Sequence, residues 1–252
     1  QLYYGNYTQA RARLQETAEA DFEFVESRGL ADRYDDAARR IALDFYVPLR
    51  HAAWGANMNG AFMAAYGYGT AITQPCLYAS MDQLGIAQYL SRLGLLLGQQ
   101  GDLEAAKQAW LQAPAWQGLR KLVEDSWVMK DWFELFVAQH LVLDGLLFDL
   151  AYRQVDAALS EQAGPTVSML TRFQAEWIDD HNKWVDAVIK VAAAESADNK
   201  ALLSQWAAAW RARALEALQP VAAIALGDKA PAALDRVATA LDARLKKAGL
   251  AL

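Results

Sequence analysis

Apolar residues recur every three or four positions along almost the whole chain, and this helical period restricts the possible folds more than any other feature. The first segment shows it at Tyr4, Tyr7, Leu14, Ala18, Phe22 and Val25. No stretch has the strict apolar–polar alternation of a half-buried strand. We therefore predict an all-α chain whose longest helices exceed about 20 residues, as in a helical bundle.

Glycine and proline divide this pattern into helices. The predicted segments are 4–29, 32–66, 73–97, 102–111, a helix that opens at 114, 132–159, and stripes around 170–188, 203–210 and 234–245. Pro48 lies inside the second segment and predicts a kink or a restart there. Thr73 and Pro75 predict the cap and the first turn of the third segment. Gly164 and Pro165 predict a turn.

The composition limits the kinds of partner. With 54% hydrophobic residues and nine Trp, we expect a large core and extensive contact with other chains, because Trp and Tyr are favoured at interfaces. A Trp-rich core alone is the alternative. A net charge of −6 argues against a nucleic-acid partner, which usually requires a basic face. No uninterrupted apolar run reaches the roughly 18 residues of a membrane span.

Cys76 is the single cysteine of the chain. The sequence therefore predicts no intrachain disulfide and no thiolate metal cluster, which suits a reducing cytoplasm. Cys76 has no histidine nearby in sequence to activate it. A small buried thiol is the favoured interpretation over a nucleophile.

The three histidines test the sequence for a metal site. A carboxylate three residues before a histidine is the pairing found in di-iron bundles. No acidic residue stands three positions before or after His51, His140 or His181. Only His140 has a carboxylate four residues away on the same helical face, Asp144. We favour a hydrogen-bonded pair inside a bundle, with a metal-ligand pair as the alternative.

Two further acidic groups are weak candidates for a metal site. Glu19, Glu23 and Glu26 line one face of the first helix, where a solvated stripe is favoured over inward-facing ligands. The run 179–181 reads Asp-Asp-His on an otherwise apolar helix. Neighbouring helical positions point about 100° apart, so these three side chains are not expected to converge on one ion.

The segment 81–88 has the frame of a metal-binding helix from a carboxylate-bridged di-iron protein. Such helices carry Asp-Glu-x-x-His, in which the Glu and the His project inward onto iron. Here Asp82 is followed by Gln83 at the Glu position and by Ile86 at the His position. An amide and an alkane are poor ligands for iron, which prefers carboxylate and imidazole. This pattern predicts a catalytically silent partner of an enzyme.

Collinear segments across almost the whole chain resemble the β subunit of bacterial multicomponent di-iron monooxygenase hydroxylases, with the phenol hydroxylase branch most similar. They read RAR at 11–13, VPLRH at 47–51, ANMN at 56–59, AQYLSRLGLLL at 87–97, WQGLR at 116–120, VEDS at 123–126, DWFEL at 131–135, LDGLL at 143–147 and KWVDA at 183–187. The resemblance implies one ferritin-like helical domain over 1–252 that lacks its own di-iron ligand set. The family's extended N-terminal arm is not found before Gln1. The family's second Glu-x-x-His repeat is expected on Asp180 and Lys183.

The resemblance also implies the partners and cofactors. A partner α subunit would hold the di-iron centre, and a small γ subunit would complete a dimer of αβγ units. FAD and a [2Fe-2S] cluster would lie in a separate NADH-dependent reductase, and a regulatory protein would dock on the complex. This chain itself is then expected to have no catalytic, cofactor-binding or metal-binding residue.

The predicted function is that of a non-catalytic structural subunit of an oxygenase that hydroxylates phenol or a related small aromatic with O2 and NADH-derived electrons. A β subunit of a toluene, alkene or propane monooxygenase is one alternative, and an independent ferritin-like metalloprotein is another. Trp54, Asn57, Tyr66 and Tyr68 surround a break between two long helices. They are the candidate subunit-interface residues, with ordinary packing at helix ends as the alternative.

Overall fold

The computed structural model describes residues 3–251, and every regular element in that range is a helix. The helices are α1 (Tyr4–Ser27), α2 (Asp36–Tyr66), α3 (Thr70–Leu97), α4 (Gln100–Gln112), α5 (Pro114–Trp127), α6 (Trp132–Ala163), α7 (Thr166–Leu170), α8 (Arg172–Glu195), α9 (Ala197–Leu226) and α10 (Ala230–Lys247). A short 3-10 turn, Gly227–Lys229, joins the last two. The all-α prediction is confirmed.

Four long helices form the centre of the molecule. α2 and α3 pack against each other along most of their length, and α6 and α8 contact this pair and each other. α9 packs against α5, α6 and α8, while α1 covers α7 and α8. Buried apolar side chains from nearly all of these helices belong to one contiguous core. The arrangement is that of a helical bundle with additional helices packed around it.

α6 is the most apolar helix and lies in the interior. It is the one helix among residues 3–251 that is long and apolar enough to cross a membrane by length and composition, but 89% of its apolar window is buried by the rest of the chain. Two of its segments, Val137–Leu143 and Leu150–Val155, are π-helical. π-Helical turns inside α-helices are rare and often occur at functional sites. α6 is therefore a core helix with an unusual local geometry.

The close contact between α2 and α3 depends on a small residue. A Cβ added to Gly60 would lie 2.9 Å from the Cβ of Ser80 and 3.0 Å from the carbonyl oxygen of Cys76. Cys76 is buried in the same interface, and burial raises the pKa of its thiol to about 12. The prediction of a buried thiol is confirmed.

Pro48, predicted to cause a kink or a restart, and Pro75, predicted in the first turn of a helix, both lie inside longer helices. α2 continues through Pro48 without a restart, because Pro48 and its neighbours Val47 and Leu49 are all buried and tertiary packing compensates for the lost hydrogen bond. α3 begins three residues before Thr73, at the turn that Gly69 makes with a positive φ of 83°. Thr73 is therefore inside the first turn, where its hydroxyl donates to the carbonyl of Gly69.

The tryptophans are mainly core residues. Trp110, Trp116, Trp177 and Trp210 are buried, and of the nine only Trp54 is exposed, with 47% of its surface accessible. The Trp-rich composition thus reflects the core more than the surface. Other exposed apolar side chains, Met58, Leu77, Met81 and Leu84, lie on α2 and α3 and leave apolar area on the outside of this helix pair.

Candidate functional site

Six polar side chains meet in the interior of the bundle, and we refer to them as the buried polar cluster. They are Asn59 from α2, Gln83 from α3, Gln139, His140 and Asp144 from α6, and His181 from α8. Each is at most 4% exposed. Because buried polar groups are costly unless they are paired, the contacts within the cluster decide what it can do.

The first π-helical segment of α6 brings three members of the cluster together. The amide nitrogen of Gln139 donates to Oδ1 of Asp144 at 2.8 Å, and Nδ1 of His140 lies 3.3 Å from Oδ2 of the same carboxylate. In a regular α-helix, residues five apart do not share a face, but the wider i→i+5 turn of a π-helix aligns them. The local backbone therefore turns both Gln139 and His140 towards Asp144.

The other helices contribute the remaining contacts. Gln83 extends its amide towards Oδ1 of Asp144 at 3.4 Å, and Nε2 of His181 lies 3.5 Å from Oδ2. Asn59 donates to Oε1 of Gln139 at 2.8 Å and to the hydroxyl of Ser126 at 2.8 Å. Asp144 is thus the centre of the cluster, with amides on one carboxylate oxygen and imidazoles facing the other.

The charges of the cluster follow from burial and hydrogen bonding. Burial alone would raise the pKa of Asp144, but contacts with His140 and His181 outweigh it and lower the pKa to about 2. Burial lowers the pKa of His181 to about 4, although Asp144 opposes that shift. At neutral pH the carboxylate of Asp144 is therefore ionised, and His181 faces it as a neutral imidazole.

Aromatic rings fix the two imidazoles in place. Trp177 stacks on His181 with ring centroids 4.3 Å apart, and the His140 and His181 rings meet edge to face at 4.9 Å. Phe136 and Trp184 contact the His140 ring at 5.2 and 5.5 Å. Both imidazoles are consequently held against aromatic neighbours that restrict their rotation.

A second buried carboxylate, Asp82, joins this region to α1. Oδ2 of Asp82 accepts hydrogen bonds from Nε1 of Trp177 at 2.7 Å and from Nε of Arg11 at 2.8 Å, while Oδ1 accepts from the hydroxyl of Tyr7 at 2.9 Å. Burial raises the pKa of Asp82 although Arg11 and its other donors act in the opposite direction. Since Trp177 also stacks on His181, the two carboxylate centres share one indole ring.

The structure corrects the position of the second Glu-x-x-His repeat. Asp180 and Lys183 point outwards, with side chains 55% and 76% exposed, and they form an ion pair with each other at 2.9 Å. The inward positions of α8 are instead Ile178 and His181, which have the same spacing of three and lie on the buried face. The sequence assignment was therefore displaced by two residues. It relied on the polar character of Asp180 and Lys183, although both residues lie on the exposed face of the helix.

The remaining acidic candidates lie at the surface. Glu19 pairs with Arg92 at 2.6 Å and Glu26 lies 3.9 Å from the same arginine, with about half of each glutamate side chain exposed. Glu23 is also exposed. The favoured prediction of a solvated stripe is confirmed. In the run 179–181, His181 alone faces the core, as the helical geometry predicted.

The four candidate interface residues occupy different environments. Trp54, Tyr66 and Tyr68 are exposed. Tyr68 lines a surface groove of about 980 Å³ between the starts of α1, α3 and α6, the second half of α8 and the start of α9. Asn57 is half-buried, and its amide donates to the carbonyl and hydroxyl oxygens of Ser80. Trp54 meets Trp127 edge to face at 5.7 Å. Three of the four are therefore accessible to a partner, and Asn57 links α2 to α3.

Comparison with known proteins places these features in a family. The family described as Methane/Phenol/Alkene Hydroxylase matches residues 1–196. The oxygenase component MhpL of phenol 2-monooxygenase from Acinetobacter pittii (strain PHEA-2) is 47% identical over 252 residues, which cover 99% of this chain and 75% of that protein. The chain belongs to this hydroxylase family.

Solved and curated members of the hydroxylase family agree with the fold. The xenon-pressurised crystal structure of phenol hydroxylase from Pseudomonas sp. OX1 matches with a TM-score of 0.94 and 40% identity, over 100% of this chain and 76% of that one. The hydroxylase component subunit beta of a toluene-4-monooxygenase system from Ectopseudomonas mendocina is 26% identical over 79% of this chain and 62% of that protein. The ferritin-like fold and the resemblance to phenol hydroxylases are confirmed.

The interior of this hydroxylase family member does not fit a di-iron centre. Such a centre takes one Glu from each of two helices and a Glu-x-x-His pair from each of two others. The corresponding interior positions on α3 and α8 hold Gln83, Ile86, Ile178 and His181. Asp144 is the one carboxylate of the buried polar cluster. A single carboxylate cannot balance the charge of two iron ions, so we derive no reaction step through such a centre in this chain.

Proposed function

We propose that this chain is a non-catalytic structural β subunit of an oxygenase complex that hydroxylates phenol or a related small aromatic. Its single ferritin-like domain would hold the helices of a partner subunit in a fixed geometry. The similarity to an oxygenase component of phenol 2-monooxygenase over 99% of the chain supports the reaction class. The observation that carries the structural role is the donor set around Asp144, which lacks the carboxylates of a di-iron enzyme.

The roles of the other subunits and components are those that the resemblance to the hydroxylase family implies. The di-iron centre and O2 activation are assigned to a partner α subunit, and a γ subunit completes a dimer of αβγ units. NADH-derived electrons arrive through a reductase that carries FAD and a [2Fe-2S] cluster, and a regulatory protein completes the system in the cytoplasm. A relative named as a hydroxylase component subunit beta favours the β assignment.

A second candidate function is the same structural role in a toluene, alkene or propane monooxygenase. Relatives named for toluene and propane oxidation match this chain at lower identity, 26% and 25%. Substrate choice would be determined by the pocket of the α subunit, so this alternative predicts the same properties for the present chain. Measuring which substrate the reconstituted complex oxidises distinguishes the two candidate functions.

The exposed apolar side chains of α2 and α3 support a permanent partner. Trp54, Leu77 and Met81 are each more than 40% exposed although they flank the most tightly packed helix pair of the bundle. Exposed apolar patches of this kind mark interaction surfaces, and obligate interfaces bury more than about 2,000 Å² in total. We propose that Trp54, Tyr66 and Tyr68 contact the α subunit and that Asn57 holds the helix pair that presents them.

Iron content tests the proposed division between subunits. Iron per chain is measured after purification of this protein alone and after co-expression with an α-type hydroxylase subunit. We expect iron only in the co-purified complex. About two irons bound to this chain alone would contradict the structural role and would favour an independent metalloprotein.

Replacement of Trp54 tests the interface. Trp54→Ala is expected to reduce the α subunit that co-purifies with this chain, because a large exposed aromatic anchor is lost while most of the fold is retained. Leu202→Ala on α9 is the matched control, since Leu202 is also an exposed apolar residue, with 43% accessible. Helical circular dichroism of both variants reports folding. Equal recovery of the α subunit with the two folded variants would exclude Trp54 from the interface.

A further inference from the structure

We propose that His140, Asp144 and His181 bind a single divalent transition-metal ion and that zinc is the ion these ligands fit best. One ligand atom from each of the three residues lies within 4.8 Å of the others. Zinc accepts imidazole nitrogen and carboxylate oxygen in a tetrahedral arrangement. This site differs from a di-iron centre in nuclearity and in its ligand set. The structure contains the predicted His140–Asp144 contact, and the proposal adds a metal ion to that pair.

The distances around Asp144 suit metal ligation as well as long hydrogen bonds. Nδ1 of His140 and Nε2 of His181 lie 3.3 and 3.5 Å from Oδ2 of Asp144. An N–H···O hydrogen bond is usually about 2.9–3.0 Å long. Ligand atoms bound to zinc at about 2.0–2.1 Å in a tetrahedron lie about 3.3–3.4 Å apart. Each nitrogen therefore lies at about the separation from Oδ2 that two zinc ligands adopt, and all three ligand atoms lie within 4.8 Å of one another.

An unpaired buried nitrogen points to the same location. Nε2 of His181 has no hydrogen-bond partner, although the residue is only 4% exposed and the atom faces the Asp144 carboxylate. Buried polar atoms of this kind are costly unless a bound water or ion satisfies them. A metal ion bound by this nitrogen satisfies it and neutralises the buried carboxylate at the same time.

The surroundings of Asp144 resemble the supporting contacts of a metal site. Oδ1 is held by the amides of Gln139 at 2.8 Å and Gln83 at 3.4 Å, whereas Oδ2 faces the two imidazoles. Ligating carboxylates are usually fixed by such secondary hydrogen bonds, and removing them weakens metal affinity about 10- to 100-fold. Gln83 and Gln139 are thus positioning residues in this proposal.

The consequence is a structural link between α6 and α8. His140 and Asp144 belong to α6, whereas His181 lies on α8, and aromatic rings of Phe136, Trp177 and Trp184 enclose the imidazoles. Such an enclosed site favours a role in stability over catalysis. No fourth His, Cys, Asp or Glu joins the group within residues 3–251, so we expect water in the remaining position.

The test measures metal content and its effect on stability. The full chain, alone or with its partner subunits, is analysed for zinc and iron by mass spectrometry. It is then stripped with a chelator and titrated with Zn²⁺ or Co²⁺. We expect about one zinc per chain and cobalt bands of a four-coordinate site. We also expect the folding constant to rise about 100-fold when zinc is present at about 100 times its Kd.

Variants assign the ion to the three residues. His181→Gln and Asp144→Asn keep the approximate size of each side chain and are expected to weaken zinc binding more than about 100-fold, a larger effect than that of a positioning residue. His51→Gln is the matched control, because His51 has a largely buried imidazole that is not part of the site. If either ligand variant fails to fold, Gln139→Leu, expected to weaken binding about 10- to 100-fold, replaces it.

Three results would overturn the proposal. The first is a wild-type chain whose stability and cobalt spectrum do not respond to the metal. The second is zinc that remains bound with unchanged affinity in the folded His181 and Asp144 variants. The third is two irons bound to this chain when it is purified without partner subunits, which would also contradict the proposed structural role. Zinc without iron in this chain would support both the zinc site and the proposed structural role. The absence of both metals would contradict the zinc site and leave the structural role unaffected.

Discussion

Removing the Asp82 carboxylate should strongly destabilise the fold, because Asp82 on α3 accepts hydrogen bonds from donors on both α1 and α8. Asp82→Ala leaves the hydroxyl of Tyr7, Nε of Arg11 and Nε1 of Trp177 without their acceptor. The Arg11 side chain is only 13% exposed, so its charge remains largely buried. Breaking a buried ion pair on one side costs about 3–5 kcal/mol, and we expect a loss in that range. Individual hydrogen-bond costs are not added, because the three donors share one carboxylate.

Equilibrium unfolding in urea, followed by circular dichroism and tryptophan fluorescence, measures this loss. Asp44→Ala is the matched control: Asp44 also pairs with an arginine, but both side chains are 51% exposed, and exposed pairs contribute about 0–1 kcal/mol. Adding Arg11→Leu to Asp82→Ala should recover part of the loss, since the unpaired buried charge is then gone. Equal free energies of unfolding for Asp82→Ala and Asp44→Ala would refute the reasoning.

Two further predictions concern the core and the response to acid. Ile86→Ala should lower the free energy of unfolding by about 2–5 kcal/mol, because Ile86 is 1% exposed and its truncation leaves a cavity. The zinc content should not change. A loss of zinc would show that the cavity disturbs the metal site. Burial, together with the positive charges of Arg50 and Lys107, lowers the pKa of His51 to about 4. Between pH 6.5 and 4 the unfolded chain therefore binds a proton at His51, whereas the folded chain does not. Stability should therefore fall as the pH is lowered through that window, and His51→Gln should flatten this part of the curve by an amount on the order of 2 kcal/mol in urea unfolding series.

Helix positions were predictable from the sequence because they depend on local signals. The breaks at Gly98, Pro114 and Gly164 separate helices in the structure as the residue pattern indicated. The start of α3 was misplaced because Gly69 provides a turn by its positive φ, which outweighs the capping preference of Thr73. Local chemistry thus gave the number and order of the long helices, while their ends depended on tertiary contacts.

The buried polar cluster was only partly predictable, because its members come together through tertiary structure. Gln83 and Ile86 were recognised from their spacing, and the His140–Asp144 pair from its position on one helical face. His181 lies 41 residues after His140 in the chain, so no short motif connects them. The contact of Gln139 with Asp144 depends on a π-helical turn, and an apolar period of three to four residues does not report such a turn.

The pattern Asp82-Gln83-x-x-Ile86 acquires a physical explanation from these contacts. Asp82 is needed as the acceptor that joins α1, α3 and α8, irrespective of any ion. Gln83 replaces a charged ligand with an amide that donates to Asp144, and a glutamate there would instead place two carboxylates in contact within the core. Ile86 fills the space of an imidazole with apolar volume. This interior packs a ferritin-like bundle with far less buried charge than a di-iron site requires, which agrees with the proposed role of supporting an active site in a partner subunit.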